Sequence, residues 1–321
     1  MFALRCLGVT LAFFIAQYCL FSVLVARCWS WLSRAALGWR PRALANYLLA
    51  LRMLPLVTAL ASTAVFVLPS FLLLEPRATD EAVGEAPIAL SICCLLLVGF
   101  GLYKALCAQA RSARAVSEWL RDAIPVSAQE GLPHPAFPVF QIRPAVPALT
   151  VAGVCAPRVL VSATAAGLLD SHEMRTALLH EMAHIRHRDN LKKLLFNFTA
   201  FPGMSALEAA WSDAGEMAAD DAAVANAGDA LDLASALIKL SRLGPMPPAA
   251  ALTTGLVQGS HASLNSRVER LLSWQEVRAT DAFPRLPRLA ISAGLATGLV
   301  LFASYGTVLA GMHEVTEWLV R

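Results

Sequence analysis

The sequence predicts a mainly α-helical membrane protein: four transmembrane helices, with a cytoplasmic α+β domain carrying a small β-hairpin or sheet. Three observations predict it. Hydrophobic residues fill 57% of the 321 positions and charged residues 15%, against roughly 45–50% and about 25% in soluble domains. The apolar residues gather into four runs long enough to cross a hydrocarbon core of roughly 30 Å. Between the third and fourth runs lie about 180 residues of mixed composition, enough for a domain with its own core. A disordered chain and a single soluble globule are both excluded. The net charge of +3 gives direct nucleic-acid binding no footing. Seven cysteines, with no C-x-x-C pair, argue against a disulfide framework or a cysteine zinc site.

The first run, residues 6–26, is interrupted only by Gln17. Arg27, Arg34 and Arg40 follow it and no small-x-small site closes it, so it reads as a retained span rather than a signal peptide. The second, residues 53–74, contains Pro55 and Pro69, which neighbouring helices can accommodate. The third covers 86–103 and the fourth 289–312. Orientation follows from the basic residues at the span ends. Residues 27–52 hold Arg27, Arg34, Arg40, Arg42 and Arg52 without an acid, together with Trp29, Trp31 and Trp39 of an interfacial belt. Glu75, Asp80, Glu81 and Glu85 oppose a lone Arg77 in the next connection. Lys104, Arg111 and Arg114 follow the third span, and Arg285 and Arg288 precede the fourth. The expectation is a multi-pass protein of the inner (plasma) membrane, with both termini extracytoplasmic. Residues 1–107 form a three-helix region with the cytoplasmic basic loop 27–52. Residues 108–285 form the cytoplasmic domain, and 286–321 the fourth helix and a short tail.

Within the cytoplasmic segment a charged helical stretch (108–123) precedes a Pro-rich connector. Two β-like runs, 148–152 and 158–162, are separated by a turn at 153–157 and read as a hairpin. From Asp170 the pattern is helical. Asp170 is an N-cap with Glu173 at capping-box spacing, and helix formers continue to about Asn197, before Pro202 and Gly203.

That helix carries His180-Glu181-Met-Ala-His184, a full H-E-x-x-H. Positions four apart differ by about 40° around a helix axis, so both imidazoles leave one face and can bind one Zn²⁺. Glu181, one residue further round, is placed to take a proton from water as general base rather than to ligate. Two ligands do not hold a catalytic zinc. The following helix offers Glu216 and Asp220, again four apart. Glu216 is assigned as third ligand and Asp220 as acceptor for a ligand imidazole N–H. Asp189, five residues after His184, is assigned a supporting place outside the ligands as an anchor for arginine or backbone partners. The opposing reading of each is an exposed histidine pair and a solvated acidic helix face, to which Asp213, Asp221 and Glu208 are assigned.

Residues 152–222 resemble the BlaR/MecR-type antirepressor metallopeptidases, a membrane branch of the gluzincins. The resemblance rests on Gly153-x-x-x-Pro157-x-Val159-Leu160-Val161, then Leu169, Glu173, the 180–189 block and Glu216-x-x-x-Asp220. A weaker echo is Ser263-Leu-Asn-Ser-Arg267-Val-Glu-Arg-Leu-Leu272. The resemblance implies a gluzincin-like zinc endopeptidase domain with His180, His184 and Glu216 as ligands and Glu181 as base. It also implies that Arg158, Val159, Leu160, Val161 and Ser162 form an edge strand pairing with a protein or peptide substrate, a winged-helix transcriptional repressor among the substrates such proteins cleave. Two departures stand out. No β-lactam-sensing domain follows the fourth span, and Gly215 stands where the family often has arginine before the zinc glutamate.

Three rivals are open. An intramembrane protease is disfavoured by Arg175, Arg186, Arg188, Asp189, Lys192 and Lys193 around the motif, since charges at a bilayer centre cost roughly 2.5–3.5 kcal/mol each. A quality-control protease resembling HtpX or the CAAX prenyl proteases shares the zinc pattern but fits the span plan less well. A non-catalytic signalling scaffold would need no Glu181.

Overall fold

The computed structural model describes residues 2–34, 36, 38–75, 84–126, 137–143, 148–243, 252–256, 261–274 and 304–320. Several expectations fall outside them: residues 289–303 of the fourth span, Arg77, Asp80, Glu81, most of the Pro-rich connector with His134, the prolines at 245–248, Arg285 and Arg288. The described chain is mainly helical with one small mixed sheet. It divides into two compact units: residues 1–29, 50–99 and 277–321 in one, 30–49 and 100–276 in the other. The segment 30–49, expected to belong with the spans as their basic loop, is instead part of the second unit.

Among the described residues, three helices are long and apolar enough to cross a membrane, running Phe2–Arg34, Pro41–Leu74 and Glu85–Leu120. The first is α1 (Phe2–Arg34). The second comprises α2 (Pro41–Ser62), a π-helical turn (Thr63–Val67) and α3 (Leu68–Leu74). The third is α4 (Glu85–Leu120), in which the expected span and the charged stretch after it are one continuous helix. The π turn has a local cause. Pro69 has no N–H for the carbonyl of Val65 four residues back, and the Tyr305 hydroxyl donates to that carbonyl at 2.8 Å. Tyr305 opens the last helix, α11 (Tyr305–Val320), which begins inside the expected fourth span and runs on through the expected tail. Cys6, Val9, Val67 and Phe71 pack as a cluster with Phe2, Phe13 and Met312 against it. Arg5 and Glu75 form a buried ion pair at 2.7 Å, which neutralises the lone basic residue at the N-terminal end of α1.

The second unit is built on a five-stranded sheet. Its strands are β1 (Ile124–Pro125), β2 (Val139–Ile142), β3 (Leu149–Ala152), β4 (Arg158–Ser162) and β5 (Thr253–Gly255), in the order β1-β2-β4-β3-β5. β3 and β4 form the expected antiparallel hairpin, with Ala152 opposite Arg158. Its turn needs Gly153, whose φ is +97° and where a Cβ would stand 2.6 Å from the Ala156 carbonyl oxygen. The edge-strand expectation for Arg158–Ser162 is overturned. β4 is central, parallel to β2 on one side and antiparallel to β3 on the other, so no backbone edge is left for a substrate. Valines 159 and 161 face the core instead.

Five helices cover the sheet and one another: α5 (Ala163–Leu168), α6 (Ser171–His187), α7 (Asp189–Phe198), α8 (Ser205–Ala223) and α9 (Ala227–Ser241), with α10 (His261–Leu272) packed on α8 and α9. The starts are capped as their residues dictate. Ser162 accepts from Ala165 N–H, Asn226 from Asp229 N–H, and Asp170 with Glu173 forms the complete capping box. One difference matters for the site. The helix expected to run from 170 to about 197 breaks at Arg188, which takes the left-handed conformation (φ 55°, ψ 41°). The break turns α7 back so that Asp189 reaches α6.

Candidate metal centre

The capping box fixes where α6 starts, and a four-residue step then brings His180 and His184 to one face. α8 crosses α6 and delivers Glu216 opposite them, while the ring of Trp211 on α8 stacks edge-on against Phe196 of α7 at 4.9 Å. The two Nε2 atoms lie 3.1 Å apart. Glu216 Oε2 is 3.5 Å from His180 Nε2, and Oε1 is 3.6 Å from His184 Nε2. Bonds of about 2.0–2.1 Å in a tetrahedron space ligand atoms about 3.3 Å apart. The trio therefore has the dimensions of a zinc cage, and these residues together can hold a metal ion.

The outer nitrogens are held from behind. His184 Nδ1 lies 2.7 Å from Asp189 Oδ2, and Lys192 donates to Asp189 Oδ1 at 2.8 Å. A proton on His184 Nδ1 turns the Nε2 lone pair toward the cage. His180 Nδ1 lies 3.0 Å from Asp220 Oδ1, at an angle short of a well-formed hydrogen bond. Asp220 thus faces one imidazole, and Asp189 meets His184 and Lys192 where arginine or backbone partners were expected.

The buried imidazoles and carboxylates shift one another. Burial opposes charge on His184, but the Glu216 and Asp189 carboxylates outweigh it and push the ring up to about 10. Burial likewise opposes charge on Glu216, yet His184 and Arg267 hold it well below the usual carboxylate range. Asp220 is brought down to about 2 against its burial, by Arg267 and then His180. Glu181 behaves differently. Burial, only partly offset by the two imidazoles, raises it to about 7. Both its oxygens are buried with no hydrogen-bond partner among the described residues, a state that costs about 1–3 kcal/mol or more per group unless something binds there. A carboxyl poised near neutrality beside two imidazole nitrogens can both take and return a proton.

Two basic residues complete the surroundings, and neither was singled out in the sequence. Arg267 of α10, 1% exposed, bonds both Asp220 oxygens and Glu216. It sits in the weak 263–272 echo, where either of the two arginines, Arg267 or Arg270, resembles any solvated one on an amphipathic helix. Lys193 donates to the Thr253 carbonyl at 2.8 Å, and burial lowers its ammonium below the usual lysine range. A cleft of about 590 Å³ opens beside the site, walled by His184, Arg186, Arg188, Asp189 and the β3–β4 turn. Asn190 bonds the Val151 and Gly153 carbonyls and so ties that turn to α7. His187 is not one of the residues that converge at the trio. Burial, then Arg42, pushes it down to about 4.

No protein-family model matches the chain, and no curated protein matches it in sequence. The functional reading therefore rests on the geometry itself.

Proposed function

We propose that the protein is a membrane-anchored zinc-dependent endopeptidase acting on a cytoplasmic or membrane-associated protein. One observation carries the reading: two imidazole nitrogens and a carboxylate converge at tetrahedral spacing beside Glu181, whose buried oxygens have no partner among the described residues. His180, His184 and Glu216 would hold the zinc. When bound, it supplies Lewis acidity that acidifies water and polarises a scissile carbonyl. Glu181 accepts a proton on one of its oxygens and returns it to the departing amine nitrogen. Asp189 and Asp220 keep the ligand rings in the tautomer that faces the metal. The basic segment 27–52 and the basic ends at Lys104, Arg111 and Arg114 support a cytoplasmic placement of this domain at the plasma membrane. A winged-helix repressor is the substrate class that the sequence resemblance suggests, and membrane quality control is the alternative within proteolysis.

One observation favours a second reading, a scaffold with a structural metal: His180 and Glu181 are fully buried, and His184 and Glu216 are each 3% exposed. A structural zinc, however, has no use for Glu181. The deciding experiment purifies the full chain in detergent with zinc and follows cleavage of a peptide library and of a co-expressed winged-helix repressor. Cleavage that a chelator stops, and that Glu181→Gln abolishes while zinc content stays at one per chain, supports the peptidase. Equal cleavage by Glu181→Gln refutes it, and zinc retention without any cleavage favours the scaffold.

A further inference from the structure

We propose that Arg267 is the positioning residue of the metal centre, a single guanidinium that fixes two of the three metal-binding side chains at once. The inference deepens the metal-centre reading and rests on it. From α10, Nε donates to Asp220 Oδ2 at 2.8 Å and Nη2 to Asp220 Oδ1 at 2.7 Å. Nη1 donates to Glu216 Oε2 at 2.9 Å and to the Leu256 carbonyl at 3.0 Å. These bonds take up four of the five N–H donors of a guanidinium. Arg267 is therefore committed to the protein and acts through its neighbours rather than on a substrate.

Two lines run from it to the metal site. The first passes through Asp220, whose Oδ1 also faces His180 Nδ1 at 3.0 Å. The second is the direct bond to Glu216 Oε2, which occupies that oxygen and leaves Oε1, 3.6 Å from His184 Nε2, as the freer ligand atom. Without the guanidinium, two buried carboxylates would face each other one helical turn apart on α8. Glu216 could then rotate or keep a proton, and either change removes a ligand. The planar fork is what the arrangement needs. Lysine carries the same charge but presents a point donor that cannot hold both Asp220 oxygens and Glu216 together. α10, some fifty residues after α8 in the chain, is on this account part of the metal centre.

The test measures zinc affinity of the full-length protein in detergent by competition with a chromophoric chelator. Each variant's apo melting temperature is recorded, together with the visible spectrum of its Co²⁺ form. Arg267→Lys is expected to bind zinc about 10–100-fold more weakly and to alter the Co²⁺ spectrum. Leu233→Ala, in the core away from the site, lowers the melting temperature but leaves both readouts unchanged. If Arg267→Lys does not fold, Arg267→Gln combined with Asp220→Asn replaces the buried ion pair by a neutral hydrogen-bonded one and must show the same loss. Wild-type affinity in the folded variant overturns the inference while the metal centre stands. An equal loss in Leu233→Ala also overturns it, by showing a general effect of destabilisation. Failure of the wild-type chain to bind zinc removes the metal centre and the inference with it.

Discussion

Asp189 shows how much one side chain can decide. Its two oxygens are divided between His184 Nδ1 and Lys192 Nζ, so it sets the tautomer of a metal-binding ring and is itself kept charged, below the usual aspartate range against its burial. Asp189→Ala should weaken zinc binding about 10–100-fold with little change in overall helicity, measured by chelator competition and circular dichroism. Unchanged affinity would show that His184 needs no orienting partner. Glu173 gives a prediction on stability. Burial works against its charge, but Lys239, Ser235 and the Asp170 N–H outweigh it and hold the carboxyl below the ordinary glutamate range. A carboxyl whose pKa is depressed on folding stabilises the native state above its unfolded value of about 4.3, and that contribution fades as pH falls through the folded value. Glu173→Gln should therefore melt below wild type at pH 7, with the gap closing as the pH is taken below about 4. A gap constant with pH would assign the effect to packing alone. His180, Glu181 and His184 share one helix, so their spacing could be read from the sequence, whereas Glu216 was assigned because a third ligand was needed, since nothing local says that α8 meets α6. Arg267 was not legible, since its importance comes from which carboxylates happen to face it.

At the scale of elements, the sequence reading succeeded where the signal is local and failed where tertiary demand sets the outcome. The capping box at Asp170 and the hairpin around Gly153 depend on neighbouring residues, and both formed at the expected positions. The break between α6 and α7 depends on no local breaker, because Arg188 is neither glycine nor proline. It is imposed by the need to bring Asp189 back to His184. Strand order was hidden for a similar reason. β1, β2 and β5 are two to four residues long, too short to show alternation, so nothing local revealed that β4 is flanked on both sides. Arg188 carries a cost that can be read out. A left-handed conformation costs a non-glycine residue about 1–2 kcal/mol, partly offset by the extra unfolded-state freedom of glycine. Arg188→Gly should accordingly raise unfolding free energy by about 0.5–1 kcal/mol, measured by denaturant titration, and leave zinc affinity unchanged. A destabilised variant would mean that the Arg188 side chain contributes contacts worth more than the strain.

For the whole molecule, charge is distributed as a membrane protein's would be, and the structure explains the residue that fits the pattern least. Arg5 stands at the end of α1 expected to face outward, where an isolated cation would work against the assigned orientation. It is paired with Glu75 at 2.7 Å and buried, so its charge is cancelled locally and leaves the bias to the five arginines of 27–52, a stretch without an acid. Residues 30–49 of that segment belong to the same compact unit as His180, His184 and Glu216. The cysteines supply a direct measurement. Cys28 near the end of α1 and Cys155 in the β3–β4 turn are both exposed, and the basic segment predicts that both lie on the cytoplasmic side. In variants retaining one of these two cysteines, a membrane-impermeant maleimide added to intact spheroplasts should leave the protein unlabelled and should label it after lysis. Labelling of Cys155 before lysis would put the metal-binding domain outside the cell, and with it remove every cytoplasmic repressor from the set of substrates. Labelling of Cys28 alone would break the rule at the first span and separate the direction of α1 from the side on which the domain lies.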